Sequence, residues 1–286
     1  MQFWAIQTLN SLALGGLLFL LSSGFSLIFG LMRIANLTHG ALFMLGAYIG
    51  ASFLKFLPNL WLAALLGGLV VAAFGGLVER FILRKLAGNV LGQVLVTLGI
   101  AFMIADFCLI VWGGDPIPVP TPPYLQQPLR FAGLAFPTYR LVVIGIAIAV
   151  AIGLYLLMER TRLGAMIRAG VDDMQMARAV GIPVSKLFTT VFCLGALLAG
   201  AGGIIGGPML SAYPGLDSEM LPLALIVVIL GGVGSLVGAF VGSFIIGFVY
   251  TFGVALLPDL AYVILFLPMI FVIAFRPRGL FGKFAA

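Results

Sequence analysis

Charge is what this sequence has least of. Aspartate, glutamate, lysine and arginine make up 8% of its 286 residues, against about 25% in a soluble domain. Meanwhile 63% of the residues are hydrophobic and mean hydropathy is +1.24. That imbalance excludes a soluble fold, because no globular interior could hide so much apolar surface. Histidine is scarcer still, with His39 standing alone. No acids or thiols sit near it at ligand spacing, so neither a metal centre, a catalytic group nor a bound cofactor is expected. The two cysteines, Cys108 and Cys193, lie inside apolar runs. They offer no disulfide framework and read as small buried hydrophobes. No GxxxxGK[ST] run occurs, so any nucleotide chemistry must come from another chain. No base precedes Arg33, so the first apolar run is expected to persist as a span and not to be cleaved as a signal peptide.

What is present is a series of charge-free runs. Residues 34–54, 56–78 and 86–105 each hold about the 20 residues that cross a bilayer core. They lack the strict alternation of barrel strands, so helices are indicated. Spans are predicted at about 9–30, 37–55, 59–78, 90–112, 140–158 and 187–207. Positions 220–258 carry no charge over 39 residues, which as one helix would run about 58 Å, twice the core. The glycines of 231–235 provide the natural break. A short segment at 221–231, with re-entry possible, precedes spans at 236–257 and 259–275. The reading is an all-α polytopic membrane protein of about eight or nine transmembrane helices, forming a single domain over 1–286. HGALFMLGAYIG at 39–50 faintly echoes LVGAFVGSFIIG at 236–247, a weak inverted-repeat signal of the kind transporters show; close helix packing explains it equally.

Eleven of the fifteen bases fall in three clusters. Arg80, Arg84 and Lys85 form the first, residues 159–186 hold five more, and Arg276, Arg278 and Lys283 close the chain. The positive-inside rule places all three in the cytoplasm and the N-terminus outside. Asp115, Asp217, Glu219 and Asp259 then fall in outer segments. Residues 113–139 form the longest outer stretch, stiffened by seven prolines, either a rigid connection or part of a face for an external partner.

Two stretches carry candidate function. The island from Glu159 to Lys186 is helical in pattern and rich in both charge signs. Arg168, Asp172 and Gln175 share a face, and Gly181-Ile182-Pro183 stops the helix. Such a segment suits docking into a groove of a soluble protein, although a surface helix on lipid headgroups has the same look. The second stretch joins the first two spans. Arg33, Asn36, Thr38 and His39 are polar groups at or just within the membrane edge, with Asn36 and His39 at i, i+3 spacing. They serve either as caps at the cytoplasmic interface or as part of a pathway or gate. Asp106 is alone in its span, as a helix-end group meeting water or as a lining group. Glu79–Arg80 and Glu159–Arg160 read as interfacial anchors.

At these residues the chain resembles the LivH-type permease subunits of branched-chain amino acid ABC importers. GLMRIANLTHGALFMLGAY is similar to the family's first signature, with Leu37-Thr38 where Phe-Ala is commoner. TRLGAMIRAGVDDMQMARAVGI is similar to its ATPase-docking loop, and GGVGSLVGAFVG and RPRGLFG complete the set. The resemblance implies a bacterial inner-membrane permease without catalytic residues, working by alternating access. Its partners would be a related second permease subunit (LivM-like), two cytoplasmic ABC ATPases and a periplasmic substrate-binding protein. It implies ATPase docking through Arg162, Gly164, Arg168, Ala169, Asp172, Ala177, Gly181 and Ile182. It implies a pathway or gate near Asn36, His39 and Gly40, with Gly231, Gly232, Gly234 and Ser235; Asp106 joins this set from the span reading. Leucine, isoleucine and valine are the default cargo, with urea, short amides and aromatic acids also carried in the family. A self-contained secondary transporter or channel, and a sugar-type ABC permease, are the rival readings.

Overall fold

The computed structural model describes residues 2–32, 36–131 and 134–282; Arg33 and Lys283, both counted above as functional or topological charges, lie outside them. Eleven helices follow in order: α1 (Gln2–Met32), α2 (Thr38–Phe56), α3 (Leu60–Phe81), α4 (Val90–Trp112), α5 (Thr138–Arg160), α6 (Arg162–Asp172), α7 (Met174–Ala179), α8 (Val184–Leu210), α9 (Leu216–Gly231), α10 (Leu236–Leu256) and α11 (Ala261–Phe275). By length and composition six can cross a membrane: α1, α3 with the turn after it, α4, α5, α8 and α10. The protein is therefore a polytopic all-α membrane protein; the predicted limits fall within three residues of α2, α3, α4, α5, α8, α10 and α11, whereas α1 starts seven residues before the predicted 9, and α2 and α11, predicted as spans, are not among the six. The helix starts follow local chemistry. Asn59 accepts from the Trp61 and Leu62 amides, Asn89 from Gly92 and Ser235 from Gly238, each satisfying amides that a helix start leaves open.

The proline-rich connection between α4 and α5 contains one element the sequence did not announce. Strands β1 (Pro128–Phe131) and β2 (Leu134–Pro137) pair antiparallel, with Leu129 opposite Phe136 and Arg130 opposite Ala135. Earlier in the same stretch Ile117 bridges to Ala212, and Val119 is buried against Gly207. Prolines set the backbone here, but the residues between them still find main-chain partners.

Helix α8 is the centre of the packing, covered by α1, α2 and α3. A Cβ at Gly46 of α2 would overlap the Gly200 backbone of α8. The helices thus meet backbone to backbone, as small residues permit in a membrane where lipid tails are as apolar as leucine. Helix α10 lies along α1, with Gly247 against Ser11 and Gly15. The two echoing segments, α2 and α10, both begin just after an interruption and both seat small residues on a long helix. Helices α4 and α5 stand outside, with most of their side chains turned away from the core.

Candidate translocation pathway and coupling face

Helix α2 does not begin level with the end of α1. His39 Nε2 lies 2.9 Å from the Leu21 carbonyl, and its ring meets Phe25 edge-on at 5.3 Å. Leu21 is eleven residues before the end of α1, about 16 Å along the axis. Asn36, Thr38 and His39 are fully buried at that depth. These groups, expected near a helix end, lie within the helix packing well away from the end of α1. A turn holds them. Asn36 Oδ1 accepts from the Thr38 amide at 3.2 Å and from the Thr38 hydroxyl, the Asn36 carbonyl accepts from the His39 amide at 3.1 Å, and the Leu37 amide donates to Thr97 of α4 at 3.3 Å. Such an Asx turn sets the backbone where a helix begins.

The first turn of α9 comes to the same place. A Cβ on Gly40 would lie 2.7 Å from the Asp217 carbonyl and 2.8 Å from Leu221, so only glycine lets the two helix starts approach. Asp217, expected in an outer segment, thus begins a helix beside the buried start of α2. The short helix expected at 221–231 begins earlier, at Leu216. Asp106 does not join this group. It lies nine residues from Thr97, half a revolution round α4, and is exposed while Thr97 is buried.

The break at 231–235 forms a second level nearer the end of α1. Gly232 (φ +100°) and Gly234 (φ +75°) take backbone conformations that side chains disfavour. Gly234 lies against Gly30, Ser235 Oγ caps α10 through the Gly238 amide at 3.0 Å, and Gly231 abuts the Gly238 carbonyl. The chain's last described residues close over it. The Leu280 and Phe281 amides donate to the Leu230 and Gly231 carbonyls at 2.9 and 3.0 Å, satisfying acceptors that the end of α9 leaves free. Gly30 and Leu21 are nine residues apart, so the two levels are separated by about 13 Å.

The polar island forms two helices where one was expected. Asp173 breaks the run, and its carboxylate caps α7 by accepting from the Gln175 and Met176 amides at 2.8 and 2.9 Å. The shared face of Arg168, Asp172 and Gln175 is thereby interrupted. Thr161 caps α6 through Gly164, which sits directly over the Leu157 and Met158 carbonyls. Arg168 donates to the Met158 carbonyl and pairs with Glu159 at 3.5 Å, so it clamps the corner between α5 and α6. The Ala169 carbonyl accepts from the Asp173 amide, ending α6. Ala177 is buried, and its carbonyl accepts from Ile182, while Arg178 accepts from Gly181 (φ +87°). This pair of bonds is a Schellman ending, and Pro183 follows it. Arg162, Asp172 and Gly181 are exposed. So are Met176 and Val180, at 60% and 69%, an apolar pair one turn apart that charge-based reading passed over.

This pair of helices rests on the ends of two long ones. Ile167 and Gly170 of α6 are buried, with Gly170 packed on Leu31 of α1 and Leu187 of α8. In α3, Glu79 is fully buried and pairs with Arg84, not with its neighbour Arg80 as an anchor at the interface would. Arg84 reaches both carboxylate oxygens, at 2.8 and 3.2 Å, and also the Ser185 carbonyl at 2.9 Å; Thr189 donates to Glu79 at 2.7 Å. The end of α3 is thus tied to the start of α8.

Interrupted helices meeting in the interior, buried polar groups at their starts and a charged helical pair at one end define a membrane permease. The chain belongs to the family described as branched-chain amino acid transport system / permease component, whose model matches residues 7–273. It is 27% identical to the high-affinity branched-chain amino acid transport system permease protein BraD of Pseudomonas aeruginosa, over 97% of this chain and 95% of that one. It is 24% identical to the corresponding LivH protein of Escherichia coli K12 over the same shares. A probable LivH protein of Methanocaldococcus jannaschii is 29% identical over 66% of this chain and 62% of its own length. Among solved structures, PsaBC from Streptococcus pneumoniae in complex with Fab aligns with 93% of this chain and 89% of that one, at TM-score 0.49 and 12% identity. That likeness is too slight to build on.

Proposed function

We propose that this chain is the membrane-spanning subunit of an ATP-driven importer, moving branched-chain amino acids or similar small solutes by alternating access in the bacterial inner membrane. Its termini lie outside (N) and in the cytoplasm (C). It pairs with a related second permease, two cytoplasmic ATPases dock on α6 and α7, and a periplasmic binding protein delivers the solute. ATP hydrolysis belongs to the partners. One observation carries this reading: α6 is seated on the ends of α1 and α8, and α1 continues upward past Gly30 to the buried start of α2. A force on α6 therefore reaches both levels through one helix. Met176 and Val180 are exposed on the same helical pair as the exposed charges Arg162, Asp172 and Arg178, a mix of apolar and charged groups that suits a docking surface.

The test is purification of the tagged chain from its native membrane, followed by reconstitution. Recovery of a second permease and an ATPase, with leucine uptake that requires ATP and receptor, is the expected result. Arg168→Glu places a carboxylate against Glu159 and the Met158 carbonyl, and is expected to lose the ATPase while keeping the second permease. Solute uptake by the chain alone without ATP overturns the reading.

A further inference from the structure

Five buried polar atoms lack any hydrogen-bond partner among the described residues: Ser22 Oγ, Ser26 Oγ, Asn36 Nδ2, His39 Nδ1 and Tyr48 Oη. An unsatisfied polar group in an apolar interior is costly, and in a membrane it marks function by default. Two of the five lie one turn apart at the start of α2, and their chemistry is fixed by the bonds their other atoms make. The Leu21 carbonyl can only accept, so His39 Nε2 carries the hydrogen, and in the neutral ring Nδ1 is a bare acceptor. The Thr38 amide can only donate, so the atom facing it is Asn36 Oδ1, and Nδ2 keeps two N–H donors unspent. The turn thus offers one acceptor and a pair of donors, neither ionised and neither in use.

We propose that Asn36 and His39 are the station that takes the charged head of a zwitterionic amino acid in transit, Asn36 Nδ2 donating to the α-carboxylate and His39 Nδ1 accepting from the α-ammonium. The assignment rests on the importer reading above and deepens it. A donor pair suits a carboxylate and a lone acceptor suits an ammonium; a sugar would need neither arrangement in particular. Both partners are uncharged, so the head is held by charge-assisted hydrogen bonds alone and no fixed ion pair traps it. The two residues are sealed here, and the station opens when the start of α9, seated on Gly40, moves away. The side chain of the solute plays no part in this contact, so choice among leucine, isoleucine and valine rests elsewhere.

His39 is the chain's only histidine, which gives the test a single reporter. The full chain, labelled with ¹⁵N-histidine and assembled with unlabelled partner subunits in lipid nanodiscs, is titrated with L-leucine, 4-methylpentanoate (no ammonium) and 3-methylbutylamine (no carboxylate). Leucine and the amine are expected to shift the Nδ1 resonance, and the acid to leave it in place. In proteoliposomes with ATPase and receptor, Asn36→Asp keeps Oδ1 for the Thr38 amide and, when ionised, cannot donate. His39→Phe keeps the aromatic contact with Phe25. Each is expected to reduce leucine uptake about tenfold or more, the scale of one lost bond to a charged group, with assembly checked by co-purification. Wild-type uptake of leucine with a silent Nδ1 and both variants within twofold overturns this assignment and leaves the importer reading standing. Absence of wild-type uptake removes the importer reading, and this assignment with it.

Discussion

Glu79 shows what a single buried charge does in this protein. Among the described residues it is the one fully buried ionisable acid, and its two oxygens are engaged by Arg84 and Thr189. Arg84 is about one-third exposed, so solvent screens part of the pair and the full penalty of a broken buried bridge does not apply. Glu79→Ala is expected to destabilise the protein by roughly 1–3 kcal/mol, read as a lower thermal midpoint in detergent. Arg84→Lys keeps the charge but loses the two-pronged fork and is expected to fall between wild type and Glu79→Ala. An unchanged midpoint for both would mean the brace is ornamental. Gly46 tests packing in the same way. Its substitution by leucine drives a side chain into the Gly200 backbone and is expected to prevent assembly, because neither helix backbone can give way; a normal yield of intact complex would refute the close approach.

At the scale of elements, the α6–α7 pair depends on Asp173. Removing an N-cap carboxylate typically costs about 1 kcal/mol, a large share of what holds a six-residue helix. Asp173→Ala is therefore expected to fray α7, to displace Met176 and Val180 and to reduce receptor-stimulated ATP hydrolysis several-fold while leaving the chain in the membrane. Equal stimulation in the variant would show that α7 is not the docking element. The helix limits were readable in advance because apolar runs, clustered bases and the glycines at 231–235 are local signals. The Schellman ending at Gly181-Ile182 was readable for the same reason. Asp173 was also a local signal, an acid two and three residues before the amides it caps, but the even charge pattern of the island masked it. The Glu79–Arg84 pair was not readable. Its spacing of five matches no helical face, and it forms only because the chain turns at Ile82 and Leu83 after α3 ends. The depth of Asn36 and His39 was hidden too. Sequence marks where a helix begins along the chain, while its depth depends on which part of α1 it meets.

The whole molecule hangs two levels on one helix. The start of α2 meets α1 at Leu21 and the glycine break meets it at Gly30, while α6 presses on Leu31. Movement of the α6–α7 pair is therefore felt first at the break and then deeper, which is the order in which an inward gate and a solute station would respond. The tail sets how freely the break can move. Leu280 and Phe281 hold the last carbonyls of α9, and Gly279 is buried against Gly232. Ending the chain after Arg278 removes both bonds and returns those carbonyls to the unsatisfied state of an open helix end. The break then has less to hold it in one arrangement, and the balance between the two access states shifts without any ligand. The assembled importer lacking residues 279–286 is expected to hydrolyse ATP several-fold faster without receptor, and to respond less when loaded receptor is added. If basal hydrolysis and receptor response both match the full-length chain, the tail is a passive cap and the rigidity of the break comes from the Gly30–Gly234 contact alone.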